Sequence, residues 1–287
     1  MKSTRRTALK SVAFAAAALS QRLTAADEKA GGRINHSVCK WCYPKVSVEE
    51  LAKAGKQFGL GSIELLGPDD WAAAQKQGLT CALASNPVVD GIGGITKAFN
   101  RVENHDKLVA AYEDLIPKAA AAGLKNVICF SGNRVGLPDE QGIENCAKGI
   151  QRLMAVAEKN KIVVVMELLN SKVNHKDYQC DHTAWGVELC KKVGSDNFKL
   201  LYDIYHMQIM EGDVIATIKA NHQYIAHYHT GGVPGRNEID DSQELYYPAI
   251  MKAIVDTGFK GFVAQEFIPK RPDFMASLQQ GVKICNV

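Results

Sequence analysis

The sequence lacks any long hydrophobic run: its longest apolar stretch, residues 12–19, is far shorter than the about 20 residues that a membrane-spanning helix needs. It also lacks Gly-x-Gly-x-x-Gly and P-loop motifs, and the glycines at 91–94 do not lie between a strand and a helix. Neither sign of charge is in large excess, because the net charge is only +3 and comes partly from basic residues in the first 22 positions. These absences argue against a stable membrane anchor, the common phosphate-binding loops and a nucleic-acid partner.

Cysteine is present but does not form a metal-binding or disulfide pattern. Of the eight cysteines, Cys39 and Cys42 have the spacing of a redox pair or half of a zinc site, and no second Cys-x-x-Cys completes such a site. Several others lie in apolar surroundings, where a free cysteine behaves as a small hydrophobic residue. We therefore favour buried thiols over a redox function, and leave open whether Cys39 and Cys42 pair.

The N-terminus has the form of an export signal. Arg5 and Arg6 stand side by side in a basic segment, the short apolar run at 12–19 follows, and small residues at Ala25 and Ala26 suit a cleavage site. An alanine-rich amphipathic helix of the mature protein is the alternative, but the paired arginines favour export. The sequence thus predicts a twin-arginine-type signal over residues 1–26, cleavage near its end, and a periplasmic protein.

The remaining residues alternate between strand-like and helix-like segments. The whole chain of 287 residues is 46% hydrophobic and 23% charged and has no internal linker, which suits one large α/β barrel or two small domains. Apolar, β-branched runs predict eight strands, at 33–39, 62–66, 79–84, 126–131, 162–169, 198–204, 224–230 and 262–267. Eight strand–helix repeats in about 260 residues have the period of a (β/α)₈ TIM barrel. We therefore predict one such domain over residues 27–287.

Helix signals fall between these strands. Ser47 and Glu50 form a capping-box pattern, and Gly123 follows an apolar helical repeat as a C-terminal cap would. The other helical segments are 143–160, 182–193, 214–221 and 247–257. This spacing supports the barrel over two separate domains.

Four successive strands in the second half each carry a metal-binding side chain at or near the C-terminal end. These residues are Glu167, Asp203, His229 and Glu266. A charged group within an apolar strand is costly to bury unless it is paired or binds a metal. Each alone has a plain alternative as a salt-bridged carboxylate or imidazole. Because active sites of TIM barrels form at the C-terminal ends of the strands, four together predict one divalent-cation site, for Mn²⁺, Mg²⁺, Co²⁺ or Zn²⁺.

Further polar residues are placed to contact a substrate at the same rim. His206 comes three residues after Asp203, and Arg236 lies on a Gly/Pro-rich turn after strand seven, where a guanidinium can bind a carboxylate or vicinal oxygens. Glu64 and His36 lie on strands two and one. Each has an alternative as a hydrogen-bonded loop, surface or buried residue without a catalytic function.

The sequence around these positions resembles the xylose-isomerase-like barrel superfamily, and within it hydroxypyruvate isomerases first and ketose 3-epimerases next. The resemblance covers nearly the whole predicted mature chain and rests on segments 166–170, 202–208, 225–229, 234–236 and 265–267. Its most distinctive part is Asp-x-x-His-x-x-x-x-x-Gly-Asp, residues 203–213. One departure is His229, because hydroxypyruvate isomerases typically have Gln there and epimerases have His, whereas the Pro-Gly-Arg turn favours the former.

The resemblance implies a function for each site residue. Glu167, Asp203, His229 and Glu266 would hold one divalent metal ion, and His206 and Arg236 would bind the substrate. Glu167 and Glu266 would also be the catalytic base and acid. The implied reaction is an aldose–ketose isomerisation, hydroxypyruvate to tartronate semialdehyde through an enediolate, with a ketose 3-epimerase or another sugar isomerase as the alternative.

Two other function classes fit the scaffold less well. A metal-dependent endonuclease of abasic sites would need more histidine ligands and a basic groove, which the near-neutral chain does not provide. A non-catalytic sugar- or metal-binding barrel would not need both glutamates. The expected partner is a small molecule, a hydroxy-keto acid or a ketose, and a homo-oligomer is allowed.

Overall fold

Eight parallel extended segments form a closed ring in the computed structural model, which describes residues 32–287. Six are regular strands, in the sheet order β1-β6-β5-β4-β3-β2: β1 (Asn35–Val38), β2 (Asn126–Cys129), β3 (Val163–Leu168), β4 (Phe198–Asp203), β5 (Ile225–Thr230) and β6 (Phe262–Gln265). Two shorter segments, at 60–66 and 80–84, join β1 to β2 through single parallel bridges. The predicted TIM barrel is therefore confirmed, and residues 34–287 form one compact unit.

The second and third strands are less regular than the sequence predicted. Leu65 has a positive φ of 57°, which interrupts the extended backbone of the 60–66 segment. The Ser62 hydroxyl accepts the amide hydrogen of Ala82 at 2.7 Å, so a side chain replaces one backbone pairing between the two segments. These two features explain why 62–66 and 79–84 pair only through bridges at Ser62, Thr80, Leu66 and Ala84.

Nine helices surround the strands in the described part of the chain. They are α1 (Val48–Phe58), α2 (Pro68–Lys76), α3 (His105–Ala121), α4 (Asp139–Asn160), α5 (Thr183–Val193), α6 (Ile204–Met210), α7 (Val214–Asn221), α8 (Tyr247–Asp256) and α9 (Phe274–Cys285). Short 3₁₀ turns lie at Lys40–Cys42, Val102–Asn104 and His222–Tyr224. The capping box is present, with Ser47 accepting the amide of Glu50 and Glu50 accepting that of Ser47. No helix among these residues is long and apolar enough to cross a membrane.

The strand residues supply most of the core. Every residue of β3 after Val163 is buried, as are the last four residues of β4 and of β5. All eight cysteines are free and buried, in agreement with the expected buried thiols.

The predicted export signal at 1–26 lies outside the described residues. Burial on both faces of the strands leaves the C-terminal ends as the place where polar groups can meet.

Candidate active site

Three carboxylates and one imidazole meet at the C-terminal ends of β3 to β6. Glu167 lies within β3, Asp203 ends β4, His229 lies within β5, and Glu266 directly follows β6. One side-chain donor atom from each lies within 4.8 Å of the others, and all four residues are buried. We call this set the four-donor cluster. The structure brings together the residues that the sequence predicted as metal ligands, because adjacent parallel strands end at one rim.

His229 and Arg236 provide the positive charge next to three carboxylates. His229 Nδ1 lies 2.7 Å from Glu266 Oε2 and 3.3 Å from Glu167 Oε1. Arg236 Nη2 donates to Asp203 Oδ2 at 3.1 Å and to Glu266 Oε2 at 2.5 Å. Three carboxylates within reach of two cations leave negative charge uncompensated, and Glu167 Oε1 is buried without a hydrogen-bond partner.

The environments of the two glutamates separate their pKa values. Burial raises the pKa of Glu167, and the nearby Glu266 carboxylate raises it further. Burial alone would also raise the pKa of Glu266, but Arg236 and His229 hold it well below its usual range. A pair of carboxyl groups whose pKa values are displaced in opposite directions suits a proton donor and a proton acceptor at one site.

His206 is a neutral hydrogen-bond donor aimed at the rim. It lies in the first turn of α6, where its backbone amide donates to Asp203 Oδ1 at 3.1 Å. The amide nitrogen of Asn170 lies 2.6 Å from His206 Nδ1, so Nδ1 accepts and Nε2 carries the hydrogen. Burial and the Arg236 charge hold the pKa of His206 well below its usual range. Its Nε2 is buried without a hydrogen-bond partner, as a group reserved for a substrate oxygen would be.

Arg236 is more firmly held than a residue of a flexible turn. The side chain is buried, with its guanidinium 5.1 Å from the ring of Trp41 and 5.4 Å from that of Tyr205. Its Nε has no hydrogen-bond partner. Arg236 therefore compensates the carboxylates through Nη2 and retains a donor for a ligand.

Trp41 is a site residue that sequence reasoning missed. Its indole Nε1 donates to Glu266 Oε1 at 2.8 Å, while 42% of the side chain remains exposed at the rim. The residue lies in the 3₁₀ turn that follows β1, within the Cys39–Cys42 segment, whose spacing on its own suggests only a redox pair or half of a zinc site. A large aromatic residue just past a barrel strand was the available signal.

Glu64 and His36 do not line the rim as the other candidates do. Glu64 is fully buried, and its Oε1 lies 2.8 Å from both His227 Nε2 and His229 Nε2. Burial alone would raise its pKa, but these imidazoles lower it to about 2. His36 is buried near the start of β1, and neither ring nitrogen hydrogen-bonds to the four-donor cluster. Substrate binding by Glu64 and His36 stays a prediction.

The four-donor cluster has the composition that a divalent cation needs. Three carboxylates and one imidazole match the hard and borderline ligands of Mn²⁺, Mg²⁺, Co²⁺ and Zn²⁺. A self-neutralised salt-bridge cluster is the alternative, with a protonated His229 and Arg236 as its cations. The unpartnered Glu167 Oε1 and the excess of carboxylates favour the metal site.

Comparison with known proteins identifies the family. Residues 56–283 match the family model described as xylose isomerase-like TIM barrel. The chain belongs to this family. It is 25% identical over 255 residues to a putative hydroxypyruvate isomerase of Homo sapiens, covering 80% of this chain and 87% of the relative. To hydroxypyruvate isomerase of Escherichia coli K12 it is 30% identical over 205 residues, 70% of each protein. The protein is thus a hydroxypyruvate isomerase-like member, an isomerase or epimerase enzyme.

Solved structures agree with the fold. A family 2 AP endonuclease from Brucella melitensis superimposes with a TM-score of 0.75 at 24% identity, over 86% of this chain and 96% of the other. D-psicose 3-epimerase from Clostridium cellulolyticum H10, crystallised with D-tagatose, gives 0.69 at 17% identity, over 88% of this chain and all of the other. Because these names span nucleases and epimerases, the shared barrel does not choose the reaction.

Proposed function

We propose that this protein is a metal-dependent aldose–ketose isomerase that interconverts hydroxypyruvate and tartronate semialdehyde. The observation that carries the proposal is the four-donor cluster at the barrel rim, with the free donors of His206 and Arg236 beside it. A rim with an acid–base pair, a cation site and cationic or neutral donors suits a small anionic α-hydroxy carbonyl compound.

The side chains divide the proton transfers between them. One of Glu167 and Glu266 takes the proton from C3 of hydroxypyruvate, and the other, as the acid, delivers a proton to C2, while the hydroxyl proton passes from O3 to O2. Arg236 binds the substrate carboxylate through its remaining donors, and His206 Nε2 donates to a substrate oxygen. A divalent cation held by the cluster would polarise the carbonyl and hydroxyl oxygens and stabilise the enediolate charge.

The decisive experiment is solvent exchange of the substrate C–H. Purified mature protein in D₂O should catalyse the incorporation of deuterium at C3 of hydroxypyruvate, and the reaction should depend on metal. Mass spectrometry or NMR measures the incorporation. Elemental analysis should find one divalent cation per chain. The chelated protein should exchange at the background rate and recover when metal is restored. A protein that contains no metal, shows no change of melting temperature with chelator and exchanges none of hydroxypyruvate or a panel of ketoses would contradict the proposal.

A ketose 3-epimerase is the second candidate, because the chain has a histidine, His229, where ketose 3-epimerases have His and hydroxypyruvate isomerases typically have Gln. Arg236→Lys distinguishes the two, since lysine keeps one charge but not the guanidinium fork. We expect kcat/KM for hydroxypyruvate to fall by about 10- to 150-fold, the worth of about 1.5–3 kcal/mol for charged hydrogen bonds, with metal content unchanged. The loss for a neutral ketose should be smaller. Equal losses would place Arg236 on a shared hydroxyl and favour the epimerase.

Export is a separate part of the proposal, because residues 1–26 resemble a twin-arginine signal. Replacing both Arg5 and Arg6 by lysine should leave the precursor in the cytoplasm, since the export receptor reads the arginine pair and not bulk charge. Cell fractionation and the size of the protein on a gel measure this, with Lys2→Arg as the control that leaves the pair intact. Unchanged export of the double variant would point to the general secretory route or to a misassigned N-terminus.

A further inference from the structure

The imidazole of His229 is held from both sides of its ring. Nδ1 faces Glu266 and Glu167, at 2.7 and 3.3 Å, and belongs to the four-donor cluster. Nε2 faces away from these carboxylates and lies 2.8 Å from Glu64 Oε1. Glu64 comes from the 60–66 segment, is fully buried, and contacts the ring nitrogen of His229 that does not face Glu266 and Glu167.

Glu64 is itself fixed by a second imidazole. His227 precedes His229 by two residues on β5, so both side chains point to the same face of the strand. His227 Nε2 lies 2.8 Å from the same Glu64 Oε1. An ionised carboxylate only accepts hydrogen bonds, so both Nε2 atoms carry hydrogens. In the metal-free protein His229 Nδ1 also carries a hydrogen, which points to Glu266, and a bound cation would take the place of that hydrogen on Nδ1.

We propose that Glu64, held by His227, is the positioning residue that fixes the ring orientation and the Nε2–H tautomer of His229, so that Nδ1 is presented to the cation. This inference rests on the proposed metal centre and replaces substrate contact as the function of Glu64. A carboxylate that accepts the second N–H of a metal-binding histidine raises the basicity of the ligand and restricts its rotation. Glu64 Oε1 already accepts from both imidazoles, so this oxygen is not free for a substrate in the way that His206 Nε2 is.

Cys39 offers the main competing interpretation of the same residues. Its Sγ lies 3.8 Å from Glu64 Oε1 and 3.8 Å from His229 Nε2, and the three residues could hold a thiophilic cation of their own. A cation there would have to displace the hydrogen bonds that both imidazoles make to Glu64 Oε1. The hydrogen-bonded arrangement satisfies both Nε2 donors without any ion, which is why we favour it.

The test measures metal affinity, by competition with a chromophoric chelator, in purified mature protein. Glu64→Leu, which removes the acceptor at similar volume, should weaken binding about 10- to 100-fold. Glu64→Gln should weaken it less, because its carbonyl oxygen still accepts from His229, and His227→Phe should lie between wild type and Glu64→Leu. Asp181→Asn is the matched control: Asp181 is a buried carboxylate bonded to Arg134 and Ser171, away from the cluster, so its affinity should match wild type.

A second measurement needs no variant that might fail to fold. In zinc-loaded wild type, ¹⁵N-resolved NMR of the histidine rings should show a slowly exchanging Nε2–H and a metal-bound Nδ1 on His229. Three results would each overturn the inference. The first is coordination of the metal through His229 Nε2, and the second is a thiolate-to-metal charge-transfer band that Cys39→Ser abolishes. The third is a Glu64→Leu variant whose metal affinity equals that of wild type while its KM for the substrate is raised. If wild type binds no cation, the proposed metal centre fails first, which separates the two failures.

Discussion

Glu167→Gln and Glu266→Gln should each lower the rate of substrate C–H exchange by about 10²- to 10⁴-fold, the contribution of a positioned acid or base. Glutamine preserves the shape of the side chain but cannot take up or release the proton. The measurement is deuterium incorporation into hydroxypyruvate at saturating metal, so that weaker cation binding does not limit the rate. Glu211→Gln serves as the control, because Glu211 accepts from Thr183 outside the four-donor cluster and should leave exchange unchanged.

The two variants should differ in stability. Glu266 accepts hydrogen bonds from Trp41 and Arg236 and lies 2.7 Å from His229 Nδ1. A glutamine there would point its NH₂ group at one of these donors, and the buried ion pair with Arg236 would be lost. Glu167 Oε1 makes no hydrogen bond and only a 3.3 Å ion pair with His229 Nδ1, so its neutral replacement loses less. We expect the melting temperature of chelated protein to fall for Glu266→Gln and to change little for Glu167→Gln. Near-normal exchange by either variant would remove that residue from the mechanism.

The sequence predicted the barrel because its longer strands are continuous apolar runs. The segments at 162–169 and 198–204 gave β3 and β4 within one or two residues, since strands buried on both faces carry an unbroken pattern. The segments at 62–66 and 79–84 form only bridges, because of the positive φ of Leu65 and the hydrogen bond to the Ser62 hydroxyl. The pattern of hydrophobic residues does not reveal either feature. Helices α2, α6 and α9 were missed; α2 begins at Pro68, and α6 follows Asp203 without a loop.

The site divides in the same way between local and long-range information. The four cluster residues could be found because each is a polar group at the end of an apolar strand, and parallel strands bring such ends together. The sequence placed Arg236 at the rim, but the contacts of Trp41 and Arg236 with Glu266 could not be predicted, because they join residues 225 and 30 positions apart. The sequence indicates Glu64 as an inward-facing residue, but its hydrogen bonds to His227 and His229 could not be predicted, since these histidines lie 163 and 165 positions further along the chain.

Arg236→Met should lower the free energy of unfolding of chelated protein by about 3–5 kcal/mol, the cost of leaving a buried charge without its partner. Arg236 Nη2 hydrogen-bonds to Asp203 and Glu266, so its removal leaves three carboxylates with only His229 as a cation. The same variant should gain more stability from Mn²⁺ or Zn²⁺ than wild type does, because a positive charge beside two donor oxygens is gone. At a metal concentration of 100 times Kd, binding contributes about 2.7 kcal/mol, and tighter binding adds to this.

Denaturant unfolding with and without metal measures both effects. Arg152→Met is the control, because Arg152 pairs with Asp106 at the surface, where the two side chains are 46% and 91% exposed, and its loss should cost less than about 1 kcal/mol in either condition. Equal stabilisation of Arg236→Met and wild type by metal would mean that the guanidinium does not compete with the cation. Absence of any stabilisation of either protein by metal would instead mean that the cluster is a self-neutralised salt bridge in which Arg236 is a counter-charge. A larger stabilisation of the variant would instead show that Arg236 compensates the three carboxylates of a cation site.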